Sequence, residues 1–278
     1  MTSMSSVAIA SPSNPRIKGT ARLRDRRQRD ATGLTLVDGT REVRRALDAG
    51  AGVVEAFVCE PFLAGEDARA ALDALASHSI PTISTTEAAF SKVAFGDRAD
   101  GLVAVVRIPS MRLDDLALPD DPLIVVIEAV EKPGNLGAVL RSADGAGVDA
   151  LIAASPRTDL MNPNAIRASA GTIFSVPLAS ASTDEVVDWL GRRSIPIVAT
   201  LVDAETPYTD ADLTGPLAIA FGSEATGLTA PWRTPGVSGI RLPMLGIADS
   251  LNVSVAAAVL LYEARRQRDS PSTRHTPG

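Results

Sequence analysis

Three glycine-bearing segments hold the residues whose types and spacing could serve a phosphate or a nucleotide. Gly145-Ala-Gly147-Val-Asp-Ala150 fits the pattern G-x-G-x-x-A, in which glycines bring a backbone up to a pyrophosphate at a helix N-terminus. Its context is reversed, because these glycines close a predicted helix and lead into a predicted strand, as a helix C-cap and αβ turn do. Gly222-Ser-Glu-Ala-Thr-Gly227 has the glycine spacing of a phosphate-binding loop, yet Leu228 and Thr229 stand where Lys and Ser/Thr are required. It is not a P-loop. Gly134-Asn-Leu-Gly137 follows an apolar run and opens a predicted helix, the right order for an anion site. Structural zinc fails on numbers: Cys59, His78 and His275 are too few for a Cys/His site, and one cysteine forms no internal disulfide. A nicotinamide-dependent oxidoreductase is the competing enzyme class. The reversed Gly145 segment and the lack of a histidine near any of the three segments argue against it.

Charge is unevenly spread. The 278 residues carry 27 Lys and Arg against 33 Asp and Glu, a net charge of −6. Residues 1 to 45 hold ten of those cations (Arg16, Lys18, Arg22, Arg24, Arg26, Arg27, Arg29, Arg41, Arg44 and Arg45) against four acids (Asp25, Asp30, Asp38 and Glu42). That segment is therefore +6 (10 minus 4) and the remainder −12 (−6 minus 6). Basic groups gathered at one end of an acidic protein are the pattern of an arm that meets a polyanion, with a solvated helix face as the alternative. Arg22, Arg24, Arg26 and Arg27 are the candidate phosphate contacts.

The elements that must position these residues fall into two halves. From Leu34 to Ile108, short β-rich runs alternate with helical ones. They are a strand at Leu34 to Val37, a helix over Arg41 to Ala49, a strand at Val53 to Val58, a helix over Glu66 to Ser77, then strands at Thr82 to Ser84 and Leu102 to Ile108. Pro109 to Pro122, with three prolines and four aspartates, reads as a linker. This places domains at residues 1–112 and 118–268, with a polar tail at 269–278. The second half opens on Leu123-Ile-Val-Val-Ile127, a run suited to a strand buried on both faces of a parallel sheet. Then follow a helix over Leu136 to Ala146 and a strand at Ala150 to Ala153. A capping box, Ser182-Thr-Asp-Glu185, precedes a helix to Arg193, and strands at Ile195 to Thr200, Leu217 to Phe221 and Ser238 to Leu242 come after it. The last helix, Leu251 to about Arg268, is apolar nearly all round from Val253 to Leu261, so it needs cover from more than one side, which an oligomer interface would supply.

No apolar run approaches the ~18 to 20 residues needed to cross a bilayer, and Met1 to Ser13 carries neither a basic n-region nor an apolar h-region. The expected place is the cytoplasm, with no membrane contact. At 45% apolar and 22% charged residues, the composition is that of an ordinary globular protein.

Taken together, three segments are more specific than any motif above. They are Lys132-Pro-Gly-Asn135-Leu-Gly137-Ala-Val-Leu-Arg141-Ser-Ala, Ala220-Phe-Gly222-Ser-Glu224-Ala-Thr-Gly227-Leu, and Leu242-Pro-Met244-Leu-Gly246-Ile-Ala-Asp-Ser250-Leu-Asn252-Val-Ser254. In this order they resemble the three motifs of the SpoU/TrmH family of RNA ribose 2'-O-methyltransferases, within the SPOUT superfamily. The N-terminal half is similar to the substrate-binding domain of two-domain rRNA members, through Asn14-Pro15-Arg16-Ile17-Lys18, Leu36-Val-Asp-Gly-Thr40-Arg-Glu-Val and Gly101-Leu-Val-Ala-Val105. The resemblance implies a C-terminal α/β domain whose parallel sheet carries a trefoil knot, a small N-terminal α/β RNA-binding domain, and a homodimer. Such knots are exceptions to ordinary chain topology. The implied activity is methyl transfer from S-adenosyl-L-methionine to ribose in RNA, with rRNA, 23S above all, as the expected partner. The alternatives are a tRNA enzyme, an antibiotic-resistance rRNA enzyme and a non-catalytic RNA-binding protein.

By the same resemblance, the cofactor contacts come from Thr200, Leu201, Phe221, Gly222, Leu242, Met244 and Leu251, and the catalytic set is Asn135, Arg141, Glu224, Ser250 and Asn252. The family's matching arginine is proposed to take the proton from the 2'-hydroxyl. A guanidinium is protonated in proteins and far too weak a base. Arg141 is therefore better read as a clamp on the adjacent phosphate that stabilises the developing alkoxide. Asn135 would orient that arginine or the ribose. Glu224 would pin the loops, while Ser250 and Asn252 would cap a helix and bond the substrate nucleotide or the knot loop.

Overall fold

The computed structural model describes residues 9–95, 100–223 and 225–270. The chain divides into two compact units, one made of residues up to Ser110 with Asp159–Ser175, the other of Met111–Thr158 with Val176 onward.

In the first unit, helices α1 (Pro15–Arg22) and α2 (Arg26–Thr32) precede strand β1 (Leu34–Asp38) and helix α3 (Thr40–Asp48). Then come β2 (Val53–Val58), α4 (Gly65–Ser77), β3 (Thr82–Ser84), α5 (Glu87–Val93) and β4 (Leu102–Arg107). The sheet order is β1-β4-β2-β3, antiparallel except for the β2–β3 pair. Apolar periodicity does not predict α1, α2 or α5, because all three are short and the first two are largely polar. Their signals are caps: Asn14 accepts from the Arg16 amide with Pro15 at the first helical position, Asp25 from the Arg27 amide, and Thr86 from the Ala89 amide. α1 packs on α5 and sends Ile17, fully buried, into a core with Leu36, Phe57, Phe90 and Val103.

The second unit begins with β5 (Leu123–Glu128), α6 (Pro133–Gly145) and β6 (Ala150–Ala154). The chain then joins the first unit over Asp159–Ser175, which includes α7 (Pro163–Ala168). Sequence pattern gives no sign of this excursion, which is held by polar contacts. Arg29, only 1% exposed, pairs with Asp159 at 2.6 Å, the Thr35 hydroxyl donates to Met161 O at 2.7 Å, and Arg45 donates to Ala170 O at 2.8 Å. The second unit resumes with β7 (Leu178–Ala181), α8 (Thr183–Arg192), β8 (Ile197–Thr200), β9 (Thr206–Pro207), β10 (Leu217–Phe221), β11 (Val237–Arg241) and α9 (Val253–Asp269).

These strands form a seven-stranded sheet, β7-β6-β5-β10-β8-β11-β9, with every neighbouring pair parallel. β5, β6 and β10 are buried along their whole length, as their unbroken apolar runs require. The capping box of α8 forms between Ser182 and Glu185. The stretch read as a linker is docked: Leu113, Leu116 and Leu118 pack against the second unit's core, and the Ser180 amide donates to Met111 O at 2.8 Å. Its leucines outweigh its prolines and aspartates.

Gly147, at φ 64°, sits just beyond the C-cap of α6, and Arg265 of α9 donates to Ala146 O and Gly147 O at 2.8 Å each. The dinucleotide-like spacing is thus a helix end tied to a second helix. α9 itself buries Val253, Ala257, Leu260, Leu261 and Ala264, whereas Val255 (48%) and Tyr262 (54%) stay exposed. One chain covers only one face of it. Among the described residues, no helix is long and apolar enough to cross a membrane and no His/Cys/Asp/Glu group could hold a metal ion.

Candidate active site

The carboxyl ends of β8, β10 and β11 open into a cavity of about 300 Å³. That end of a parallel α/β sheet is where ligands bind, because the loops leaving neighbouring strands diverge there. Thr200 and Leu201 come from the end of β8, Phe221 and Gly222 from the end of β10, and Leu242, Met244, Ser250 and Leu251 from the stretch between β11 and α9. Leu201, Leu242, Met244 and Leu251 give the cavity an apolar lining. Among its described lining residues the charged side chains are Arg233 and Asp249. Arg233 is held in a fork by Asp203 at 2.9 and 3.0 Å, and its hydrogen bonds keep the Asp203 carboxyl below its ordinary value.

The loop from Gly222 to Thr229 forms one wall. Gly222 has no substitute there, because a Cβ would overlap Gly227 C and Leu228 N. The far end of the loop is pinned by Glu128, 2% exposed at the end of β5. Its carboxylate accepts from the Thr229 amide (2.8 Å), the Thr229 hydroxyl (2.6 Å) and the Thr183 hydroxyl (2.7 Å). Burying a carboxylate is costly unless its lone pairs are satisfied, and these three donors do so.

A second cavity, of about 230 Å³, is bounded by Ile127, Val130, Glu131, Lys132 and Asn135 on one side and by Ala225 on the other, and it shares Gly222, Ser223 and Val253 with the first. Asn135, in the first turn of α6, accepts from Asn252 Nδ2 at 3.3 Å. Asn252 is also the N-cap of α9, its Oδ1 accepting from the Ser254 amide at 2.9 Å. The three segments singled out in the sequence therefore meet here, the first through Asn135, the second through Phe221 to Leu228, and the third through Leu242 to Val253.

The sequence profile described as the SpoU rRNA methylase family matches residues 122–262. The chain belongs to the SpoU rRNA methylase family. Residues 14–104 match a further family, the MRM3-like substrate-binding domain. A relative from Streptomyces viridochromogenes, 23S rRNA (uridine(2479)-2'-O)-methyltransferase, is 33% identical over 269 residues, 92% of this chain and 91% of the relative. A crystal structure described as an RNA 2'-O ribose methyltransferase is 44% identical, with a TM-score of 0.82 over 94% of this chain and 98% of that one. The AdoMet-bound rRNA methyltransferase from Sinorhizobium meliloti is 26% identical, with a TM-score of 0.85 over 95% and 99%.

In this SpoU-family chain, all seven residues expected at the cofactor line the first cavity, as does Ser250, while Asn135 lines the second. Glu224 lies outside the described residues. Arg141 lines neither cavity: it is exposed on α6 and, among the described residues, makes no hydrogen bond or ion pair. Six residues at about 100° each leave Asn135 and Arg141 roughly 120° apart around α6. Ser223, Thr226, Arg233 and Asp249 also line the first cavity and were not singled out. Ser223, Thr226 and Asp249 lie inside the quoted segments, but Arg233 has no signal short of the fold.

The basic segment divides by partner. The Arg24 guanidinium donates to Lys92 O and Ala94 O at the C-terminal end of α5, and Arg26 pairs with Asp30 at 3.6 Å. Arg22 and Arg27 are exposed and have no partner among the described residues.

Proposed function

We propose that this chain transfers a methyl group from S-adenosylmethionine to the 2'-hydroxyl of a ribose in ribosomal RNA, 23S rRNA being the species named for its relatives. One observation carries the reading: two cavities, supplied by the family's three motif segments, meet across Gly222, Ser223 and Val253. The first suits a donor with an adenine ring and a charged tail, because Leu201, Leu242, Met244 and Leu251 offer apolar flanks and the strand ends offer backbone groups. When bound, S-adenosylmethionine supplies an electrophilic methyl group on a sulfonium.

The chain's own work is placement. Gly222 lets the loop close against the cofactor, Asn135 and Asn252 hold the ribose, and Ser250 bonds the nucleotide. Arg141, on the RNA side, clamps a phosphate and steadies the developing alkoxide while the 2'-hydroxyl proton leaves to phosphate or water. The N-terminal domain selects the RNA through its basic segment, and the protein acts in the cytoplasm.

It acts as a homodimer. Leu245 and Ile247 are fully exposed on the loop before α9, and Leu251, Val255 and Tyr262 are exposed as well. A second copy of the same face would cover them. Light scattering should give a mass near twice 28.9 kDa, and a mass near 28.9 kDa at micromolar concentration overturns the dimer.

The activity is tested with labelled cofactor and unmodified rRNA. After alkaline hydrolysis a 2'-O-methyl leaves a resistant dinucleotide. Label released only on mononucleotides means base methylation and overturns the reading.

A further inference from the structure

We propose that Lys132 holds the phosphate that flanks the target ribose, and so sets where the RNA backbone enters the second cavity. The inference rests on the methyltransferase reading above. The two cavities share a wall of Gly222, Ser223 and Val253, so a methyl group carried in the first faces an acceptor seated in the second. A nucleotide brings a sugar with an apolar face, hydroxyls, and a phosphodiester on each side. The second cavity has matching surfaces: Ile127, Val130 and Val253 for the sugar, the Asn135 amide for a hydroxyl, and charged groups at Glu131 and Lys132 for the rim. Glu131 is engaged by Arg157 at 2.5 Å, so its carboxylate is balanced where the backbone would pass.

Lys132 is the cation among the described lining residues of that cavity. It lies three residues before Asn135, at the N-cap of α6, and its carbonyl accepts from the Asn135 and Leu136 amides at 3.0 and 3.2 Å. Its backbone is thus fixed to the same helical turn that presents Asn135, while its side chain is exposed. Arg141, given a phosphate in the reading above, lines neither cavity, so Lys132 is assigned the other phosphodiester beside the ribose. A lysine ammonium is a compact point charge on a flexible stem, suited to a phosphate that must be located without being gripped in a fork. Lys132 is a positioning residue: it moves no proton and adds no bond to the reaction.

The test compares the full-length wild type with Lys132→Gln and Lys132→Arg, using an rRNA transcript as acceptor. Lys132→Gln should raise the KM for RNA about tenfold at low salt and leave kcat within about threefold. The slope of log kcat/KM against log salt should become shallower by about 0.7 to 0.9. The cofactor Kd, titrated without RNA, should be unchanged, and Lys132→Arg should restore most of the RNA affinity because it keeps the charge. An unaltered salt slope with Lys132→Gln, an equal loss of cofactor affinity, or failure of Lys132→Arg to recover would each overturn the proposal. A wild type that forms no alkali-resistant dinucleotide would instead overturn the methyltransferase reading, a separate result from the same experiment.

Discussion

Asn252 Nδ2 donates to Asn135 Oδ1 at 3.3 Å, across 117 residues of sequence. One amide side chain does two things: its oxygen caps α9 through the Ser254 amide and hydroxyl (2.9 and 2.6 Å), and its nitrogen ties α9 to the first turn of α6. The ordinary N-cap role and the role in the site coexist because the two ends of the amide point to different helices.

The two roles separate by substitution. Asn252→Asp keeps an acceptor for the cap but loses the donor toward Asn135, so its Tm should stay close to wild type while turnover falls. Asn252→Ala loses both and should lower stability by about 1 kcal/mol, a few degrees in Tm. Equal thermal losses for the two variants would show that the tether, not the cap, carries the stability.

Arg141 and Gly222 should fail in opposite ways. Arg141 is exposed, partnerless among the described residues and outside both cavities. Arg141→Ala should therefore leave Tm and cofactor Kd unchanged, and lower turnover on RNA about 10²-fold if it steadies charge in the transition state. Gly222→Val forces a side chain into Gly227 and Leu228 and should abolish cofactor binding. Calorimetric titration of both variants checks the division, and loss of cofactor affinity in Arg141→Ala would end it.

Much of the second unit was legible because its central strands are apolar runs and α8 and α9 carry side-chain caps. Leu217 to Phe221 and the Ser182–Glu185 box form as read. α1 and α2 were hidden by polarity, and the excursion Asp159–Ser175 by its means of attachment, since a buried Arg29 and a Thr35 hydroxyl leave no periodic trace. For the site, the motif segments name many of the residues that line the cavities, but they do not tell Asn135, which lines one, from Arg141, which lines neither. Only the helix phase and the cavity walls show that Lys132 lies nearer to Asn135's cavity than Arg141 does.

Asp38 should make the first unit less stable as pH rises. It is 2% exposed, its Oδ2 accepts from the Phe95 amide at 2.7 Å, and its Oδ1 has no hydrogen-bond partner among the described residues. Burial pushes its carboxyl up from 3.8 to about 6, against the pull of that amide and of Arg167 and with added push from Asp100 and Glu42. The folded state holds the proton to higher pH than the unfolded chain, so stability is fullest below about 4 and declines through about 6, by at most roughly 3 kcal/mol. Asp38→Asn mimics the protonated group. Its Tm advantage over wild type should grow between pH 5 and pH 7.5, and a constant difference would show that the carboxyl does not titrate in that range.

The basic segment should contribute to RNA binding through some of its arginines and to stability through others. Arg22 and Arg27 are exposed with no partner among the described residues, whereas Arg24 donates to the carbonyls of Lys92 and Ala94 and Arg26 is paired with Asp30. Each phosphate neutralised releases counterions, so affinity falls with log salt at about 0.7 to 0.9 per contact. Changing Arg22 and Arg27 together to Gln should flatten that slope by about 1.4 to 1.8 if both touch phosphate, with Tm and cofactor Kd unchanged. Arg24→Gln should instead lower Tm, because it leaves two carbonyls at the end of α5 without their donor, and should shift the slope little. Filter-binding titrations across a salt series, paired with thermal melts, separate the two. A slope that moves with Arg24 and not with Arg22 and Arg27 would place the RNA on a different face of the first unit.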